Sequence, residues 1–246
     1  MMDSSFLYLC AVFALAGFVK GVIGLGLPTI AMGLLAIVMS PIEAAAVLVL
    51  PSFVTNVWQM MTGPALARMA RKFWPMMIGV CVGTWSGIGL MTNSASHVGA
   101  ALLGVALAVY AITGLASMRL PSPGSREAIL SPLVGAVTGL VTAATGVFVI
   151  PAVPYLQTIG LEKEELVQTL GLSFTVSTLA LAVNILAAGA FRIDTAGSAV
   201  AALALACAGM WAGQTLRRTM SAAAFRQWFF IGLLLLGAYL VARATV

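Results

Sequence analysis

The sequence predicts an all-α polytopic membrane protein made of two structurally repeated halves, the second inverted relative to the first, and three observations carry that prediction. Of its 246 residues, 61% are hydrophobic and only 8% are charged, against roughly 25% charged in a soluble domain, and its mean hydropathy is +1.09. The few charges divide the chain into long uncharged runs, several of them at or beyond the roughly 20 residues that one helical span requires. Those runs then repeat in order: a broken over-long run, a single span and a hairpin, twice. Together they predict one integral membrane domain over residues 1–246 with eight to ten transmembrane segments.

Phe6 to Met39 carries one charge, Lys20, over 34 residues, which as one helix would extend about 51 Å against about 30 Å of hydrocarbon. A single straight span is excluded. Gly17, Gly21, Gly24 and Gly26, followed by Pro28, break the run between an entering helix and a shorter one from about Pro28 to Met39. Ala44 to Ala67 is an uncharged span closed by Arg68, Arg71 and Lys72. Phe73 to Met118 lacks Lys, Arg, Asp and Glu, and its polar turn at Thr92 to His97 makes it a hairpin. Residues 119–127, with Pro121, Pro123 and Gly124, link a first repeat at about 6–118 to a second at about 128–243. Ala128 to Gly160 is again over-long and is interrupted at TAATGVFVIP. Leu166 to Phe191, Thr195 to Leu216 and about Phe225 to Ala242 supply the remaining spans.

Gly17 and Gly21 align with Gly135 and Gly139 at a shift of 118, and Ser52-Phe53 with Ser173-Phe174 at 121. If each broken run crosses twice and the N-terminus is outside, Arg68, Arg71, Lys72, Arg119, Arg126, Lys163, Arg217, Arg218 and Arg226 fall inside, with only Arg192 and Arg243 outside. Single crossings instead split these bases seven to four. The first arrangement fits the positive-inside rule better, and its five crossings per half invert the second half. The weak point is Pro28 to Met39, about 18 Å as helix, which also suits a re-entrant limb and keeps the count between eight and ten. Interrupted hydrophobic segments at matching positions of two halves mark secondary transporters and point to the breaks as the substrate site.

Several function classes drop out. The net charge of +5 comes from bases set between apolar runs, which sets topology and does not make a nucleic-acid surface. Cys10, Cys81 and Cys207 lie in hydrophobic stretches without metal or redox spacing, and the first apolar run is too long for a signal-peptide core. A lone histidine, His97, makes no metal site. No G-x-S-x-G or H-E-x-x-H motif occurs, so the expectation is a non-enzyme without cofactor or metal.

The segments GFVKGVIGLGLPTIAMGLLA and GLVTAATGVFVIPAVPYLQTIGLEKEELVQTLGLSF resemble the sulfite exporter TauE/SafE family, also called TSUP, over nearly the whole chain. Gly146, Pro151 and the stretch Leu166 to Phe174 are the most specific part, and Pro28 stands where the first motif is expected to carry glycine. The resemblance implies a multi-pass carrier of the bacterial inner membrane for a small anion, sulfite or an organosulfonate or related sulfur oxyanion, working by alternating access on an ion gradient, with a proton or sodium as coupling ion. An anion channel, or a carrier for a small non-sulfur carboxylate, is the alternative.

An anion inside a bilayer exchanges water for donors, and backbone N–H groups at helix N-termini are the cheapest available. Candidate ligands in the first break are Gly24, Gly26 and Thr29; in the second they are Thr142, Thr145 and Gly146. The competing reading of such glycines is close helix packing in lipid. Side-chain donors follow: Ser52, Thr55, Asn56 and Gln59 in the first half, with Gln168, Thr169, Ser173, Ser177 and Thr178 in the second. Asn56 and Ser177 occupy equivalent positions. Lys20 is the one base deep in an apolar run, at a cost of roughly 2.5 to 3.5 kcal/mol at a membrane centre. It either assists binding or reaches out to headgroups. Its counterpart is Thr138, so the expectation gives the main role to uncharged donors, including Asn56 and Gln168, with Lys20 assisting from one side. Glu43 and the cluster Glu162, Glu164 and Glu165 suit first helical turns and need no further role.

Overall fold

The computed structural model describes residues 4–93, 96–116, 121–191, 196–216 and 222–244. Arg119, Arg192, Arg217 and Arg218 of the charge count, and residues 94–95 of the hairpin turn, lie outside them. Among the described residues every regular element is helical: α1 Ser4–Ile23, α2 Leu27–Leu35, α3 Pro41–Met61, α4 Leu66–Ser86, α5 Leu90–Asn93, α6 Ser96–Leu115, α7 Glu127–Thr145, α8 Ala152–Thr158, α9 Lys163–Ala187, α10 Ala196–Leu216 and α11 Ala222–Ala244. Seven of these are long and apolar enough to cross a membrane. The helix α4 has the same length as α3, but Arg68, Arg71 and Lys72 load its first turns.

Each over-long run resolves into a long helix and a short one. Gly24 and Gly26 take φ of +79° and +107°, and Gly146 takes +70°, a left-handed backbone that ends a helix and that glycine adopts without a Cβ clash. Pro28 then stands in the first turn of α2, where a missing N–H leaves no helical bond unmade. The nine residues of α2 and seven of α8 rise only about 13.5 and 10.5 Å, far less than the hydrocarbon thickness. They are return limbs between long helices.

Close glycine contacts show how those long helices run. A Cβ on Gly17 would lie 2.1 Å from the Ala206 carbonyl oxygen, and one on Gly21 would lie 2.2 Å from that of Met210. Contacts thus advance in the same direction, so α1 and α10 are parallel. A Cβ on Gly135 would lie 2.1 Å from the Met76 carbonyl oxygen and one on Gly139 would lie 2.2 Å from that of Val80, advancing in the same sense, so α7 and α4 are also parallel. The other two main pairs run opposite ways. Along α3 and α9, Asn56 bonds Thr178 while Gln59 reaches Val167. Gly104 on α6 meets Gly237 on α11, and Gly114 meets Phe230. Because short loops make α3–α4 and α9–α10 antiparallel, α3 points the same way as α1, and α9 the same way as α7.

This arrangement collects Arg68, Arg71, Lys72, Arg126, Lys163 and Arg226 at one end of the bundle and leaves Arg243 at the other. Near the basic end, Trp58, Trp211 and Trp228 are exposed, the placement of an interfacial aromatic belt. Arg68 pairs with Glu165, and Lys72 with Glu127 at 3.2 Å, at that same end. The outward faces carry exposed Leu, Ile and Val, whereas α3 and α9 have the polar stripes, turned inward.

Candidate functional site

The centre of the bundle is the crossing of α3 and α9. Ser52, Thr55, Asn56 and Gln59 from α3 and Gln168, Ser173, Ser177 and Thr178 from α9 are all buried. Helical spacing puts Ser52, Asn56 and Gln59 along one stripe, and Ser173 and Ser177 one turn apart. Pro51 inside α3 has no N–H to offer, and Thr55 Oγ1 donates to its carbonyl at 2.8 Å.

Into this crossing reaches Lys20 from α1, only 4% exposed. Its Nζ donates to Thr55 Oγ1 at 3.0 Å and to Asn56 Oδ1. Asn56 Nδ2 continues the chain to Thr178 Oγ1 at 3.3 Å, and Thr178 donates to the Phe174 carbonyl at 2.7 Å. Among the described residues Lys20 has no carboxylate partner, and both ion pairs found there lie at the basic end. The side chain does not run outward to headgroups.

The hydroxyls around it divide into two kinds. A hydroxyl has one proton to give, and several candidates give it to backbone one turn back. Thr29 donates to Gly26 O at 2.8 Å, Thr142 to Thr138 O at 2.7 Å and Thr145 to Val141 O at 2.7 Å. Thr145 Oγ1 also accepts from Val147 N at 3.2 Å, so this hydroxyl braces the second break. By contrast, the buried Oγ atoms of Ser52, Ser173 and Ser177 have no hydrogen-bond partner. Buried polar groups are normally paired, and these three protons are free for a guest.

The two glutamines hold the basic end together. Gln168 Nε2 donates to Met60 O at 2.8 Å and Gly63 O at 2.7 Å, while its Oε1 accepts from Ala65 N at 2.8 Å. With both amide ends occupied it braces the α3–α4 turn. Gln59 Nε2 donates to Val167 O at 3.0 Å and its buried Oε1 is unpartnered. Both line a cavity of about 240 Å³ with Lys163 and Glu164. A larger one of about 560 Å³, lined in part by Glu43, His97 and Arg243, opens at the opposite end.

Among the described residues no hydrogen bond joins the two breaks. Gly26 opens α2 beside Phe229, whereas Gly146 packs on Met32 farther along α2, and Gly24 has open space where a side chain would be. Two polar features escaped the sequence reading. Asn184 Nδ2 donates to Thr84 O at 2.7 Å, and Ser131 and Tyr155 share a 2.7 Å bond. A lone amide in the apolar span of α9 was the available signal for the first; nothing in the spacing pointed to the second.

A family model described as sulfite exporter TauE/SafE matches residues 9–240. The chain belongs to the TauE/SafE family. No curated protein and no solved structure matches it. TauE/SafE proteins are membrane transporters of sulfur anions, and the matched region takes in Lys20, both breaks and the α3–α9 crossing. In this TauE/SafE chain the α3–α9 crossing holds a buried lysine bonded to Asn56, and three serine hydroxyls without a partner lie on the same two helices.

Proposed function

We propose that the protein is a secondary transporter that carries a small sulfur oxyanion, sulfite or an organosulfonate, across the bacterial inner membrane by alternating access on an ion gradient. The observation that carries this reading is Lys20: a buried basic group with only neutral oxygen partners, reaching a crossing whose two helices also carry the orphaned hydroxyls of Ser52, Ser173 and Ser177. A buried charge is retained when something pairs with it, and a transported anion is that partner. The weight of binding therefore moves toward Lys20, with Asn56, Ser52, Ser173 and Ser177 as supporting donors and Gln168 in the scaffold. Sulfite and sulfonates present three oxygens to such a mixed set of donors.

The helix directions support an inverted relation between the halves. If α1, α3, α4 and α6 correspond to α7, α9, α10 and α11, each correspondence reverses direction, and the pairs α1–α10 and α7–α4 exchange. A two-fold axis in the membrane plane has that effect, and it passes through the α3–α9 crossing near Asn56 and Ser177. Placing the basic end in the cytoplasm puts both termini outside. Rocking of one half on the other would then open the crossing alternately to the cavities at the two ends.

Counterflow in proteoliposomes tests the proposal. Radiolabelled sulfite or methanesulfonate should enter saturably, and faster when the lumen holds the unlabelled anion. Flux that rises linearly with concentration and shows no counterflow identifies a channel, and no flux of either anion rejects the reading.

A further inference from the structure

The donors on Lys20 change in number with its protonation, and its neighbours match only one state. A neutral amine has two N–H groups and a lone pair; an ammonium has three donors and no acceptor. The site supplies two acceptors, Thr55 Oγ1 and Asn56 Oδ1. Thr178 Oγ1 is already occupied by Asn56 Nδ2. Lys20 makes no third hydrogen bond among the described residues, and no carboxylate pairs with it there. Of the elements packed on α1, α10 contributes the titratable group that faces Lys20, Cys207, whose thiol does not neutralise an ammonium. The short helix α2 contains no titratable residue. The ionisable groups of α3 and α11, which are Glu43, Arg226, Tyr239 and Arg243, lie toward the ends of those helices.

We infer that Lys20 is the coupling site and that the coupling ion is a proton: the empty site holds a neutral amine, and a monoanion binds together with one proton, which becomes the third N–H donor and points at an anion oxygen. This rests on the transporter reading above and deepens it. The step balances without electrons moving. The Lys20 lone pair takes a proton from the side the anion enters, the ammonium and anion form a neutral pair, and both leave on the other side. The empty carrier then returns uncharged, so neither half of the cycle moves a bare charge through the low-dielectric centre.

The test uses purified protein in proteoliposomes with a lumenal pH dye and radiolabelled methanesulfonate, which stays singly charged and forms no permeant gas. An acid-outside gradient of one pH unit should drive roughly tenfold accumulation, with one proton entering per anion, since each tenfold ratio is worth about 1.4 kcal/mol. Lys20→Arg keeps a charge that proteins do not remove, so it should retain anion counterflow and lose the pH-driven accumulation entirely. Accumulation that follows a sodium gradient, or Lys20→Arg accumulating like the parent, overturns the inference. Where Lys20→Arg does not assemble, the parent protein decides. Net anion uptake without proton entry rejects the proton and leaves the transporter, while absence of counterflow with both sulfite and methanesulfonate rejects both.

Discussion

In the first half, α1 ends three residues after Lys20, whose side chain leaves its own helix to bond Thr55 and Asn56. In the second, the matching position is Thr138, and its hydroxyl stays at home, donating to Val134 O at 2.7 Å. Around this difference the halves are alike. Gly17 and Gly21 seat α1 on α10 as Gly135 and Gly139 seat α7 on α4, and a Cβ at any of the four would fall about equally close to a carbonyl oxygen. Matched positions thus carry packing, and the mismatched one carries charge. Lys20 with Thr138, like Asn56 with Ser177, makes the two halves differ in the polar groups they place inside the bundle.

The sharpest way to break the comparison is at the matched glycines. Gly21→Leu and Gly139→Leu each drive a side chain into backbone of the neighbouring helix, an overpacking that costs typically 1–3 kcal/mol or more with little room to relax. Both variants should lose folded protein in fluorescence-detected size exclusion. If one half tolerates leucine and the other does not, the packing is not shared.

Next in size is the mismatch itself. Lys20→Gln removes a charged hydrogen bond to the anion, worth about 1.5–3 kcal/mol, or roughly tenfold to a hundredfold in anion uptake. Thr138→Val deletes only a local bond to its own helix and should change uptake less than about threefold. Equal losses in the two variants would place the anion between matched positions and remove Lys20 from its principal role.

The sequence made one kind of glycine readable and left another kind of residue opaque. Gly17, Gly21, Gly135 and Gly139 recur at constant spacing, so their shared role showed in one dimension. The breaks were legible because a 34-residue apolar run exceeds any single span. The environment of Lys20 was not, since it depends on how α1 is rotated against α3, 35 residues away in sequence. Nor does sequence tell a free hydroxyl from one bound to the preceding turn. Thr142 and Ser173 are both buried polar residues in spans, yet Thr142 donates to Thr138 O while Ser173 Oγ has no partner. Gln168 shows the same limit: its amide fits an anion as well as it fits the α3–α4 turn, and only the bonds to Met60, Gly63 and Ala65 separate the two.

Gln168 and Gln59 permit a milder test. Gln168→Leu leaves Met60 O, Gly63 O and Ala65 N without their partner, a loss of roughly 1–3 kcal/mol in stability. The fraction that still folds should transport with an unchanged KM. A raised KM at full stability would return Gln168 to the substrate site.

The smallest expected effect compares the starts of α3 and α9. Both helices carry a glutamate at the third position that reaches back to the N-cap backbone: Ser40 N donates to Glu43 Oε2 at 3.0 Å, and Glu162 N to Glu165 Oε2 at 3.4 Å. The first box adds a serine hydroxyl that accepts from Glu43 N at 3.5 Å, while the second adds the ion pair of Glu165 with Arg68. N-cap serine to alanine costs about 1 kcal/mol. The Arg68 side chain is 67% exposed, and an exposed pair contributes at most about 1 kcal/mol and often nothing measurable. Ser40→Ala should therefore lower thermal stability more than Arg68→Gln does, with transport by the folded protein unchanged in both. The opposite order would mean that the arginine pair, and not the cap, fixes these helix starts, and that the two halves are anchored at the basic end by charge.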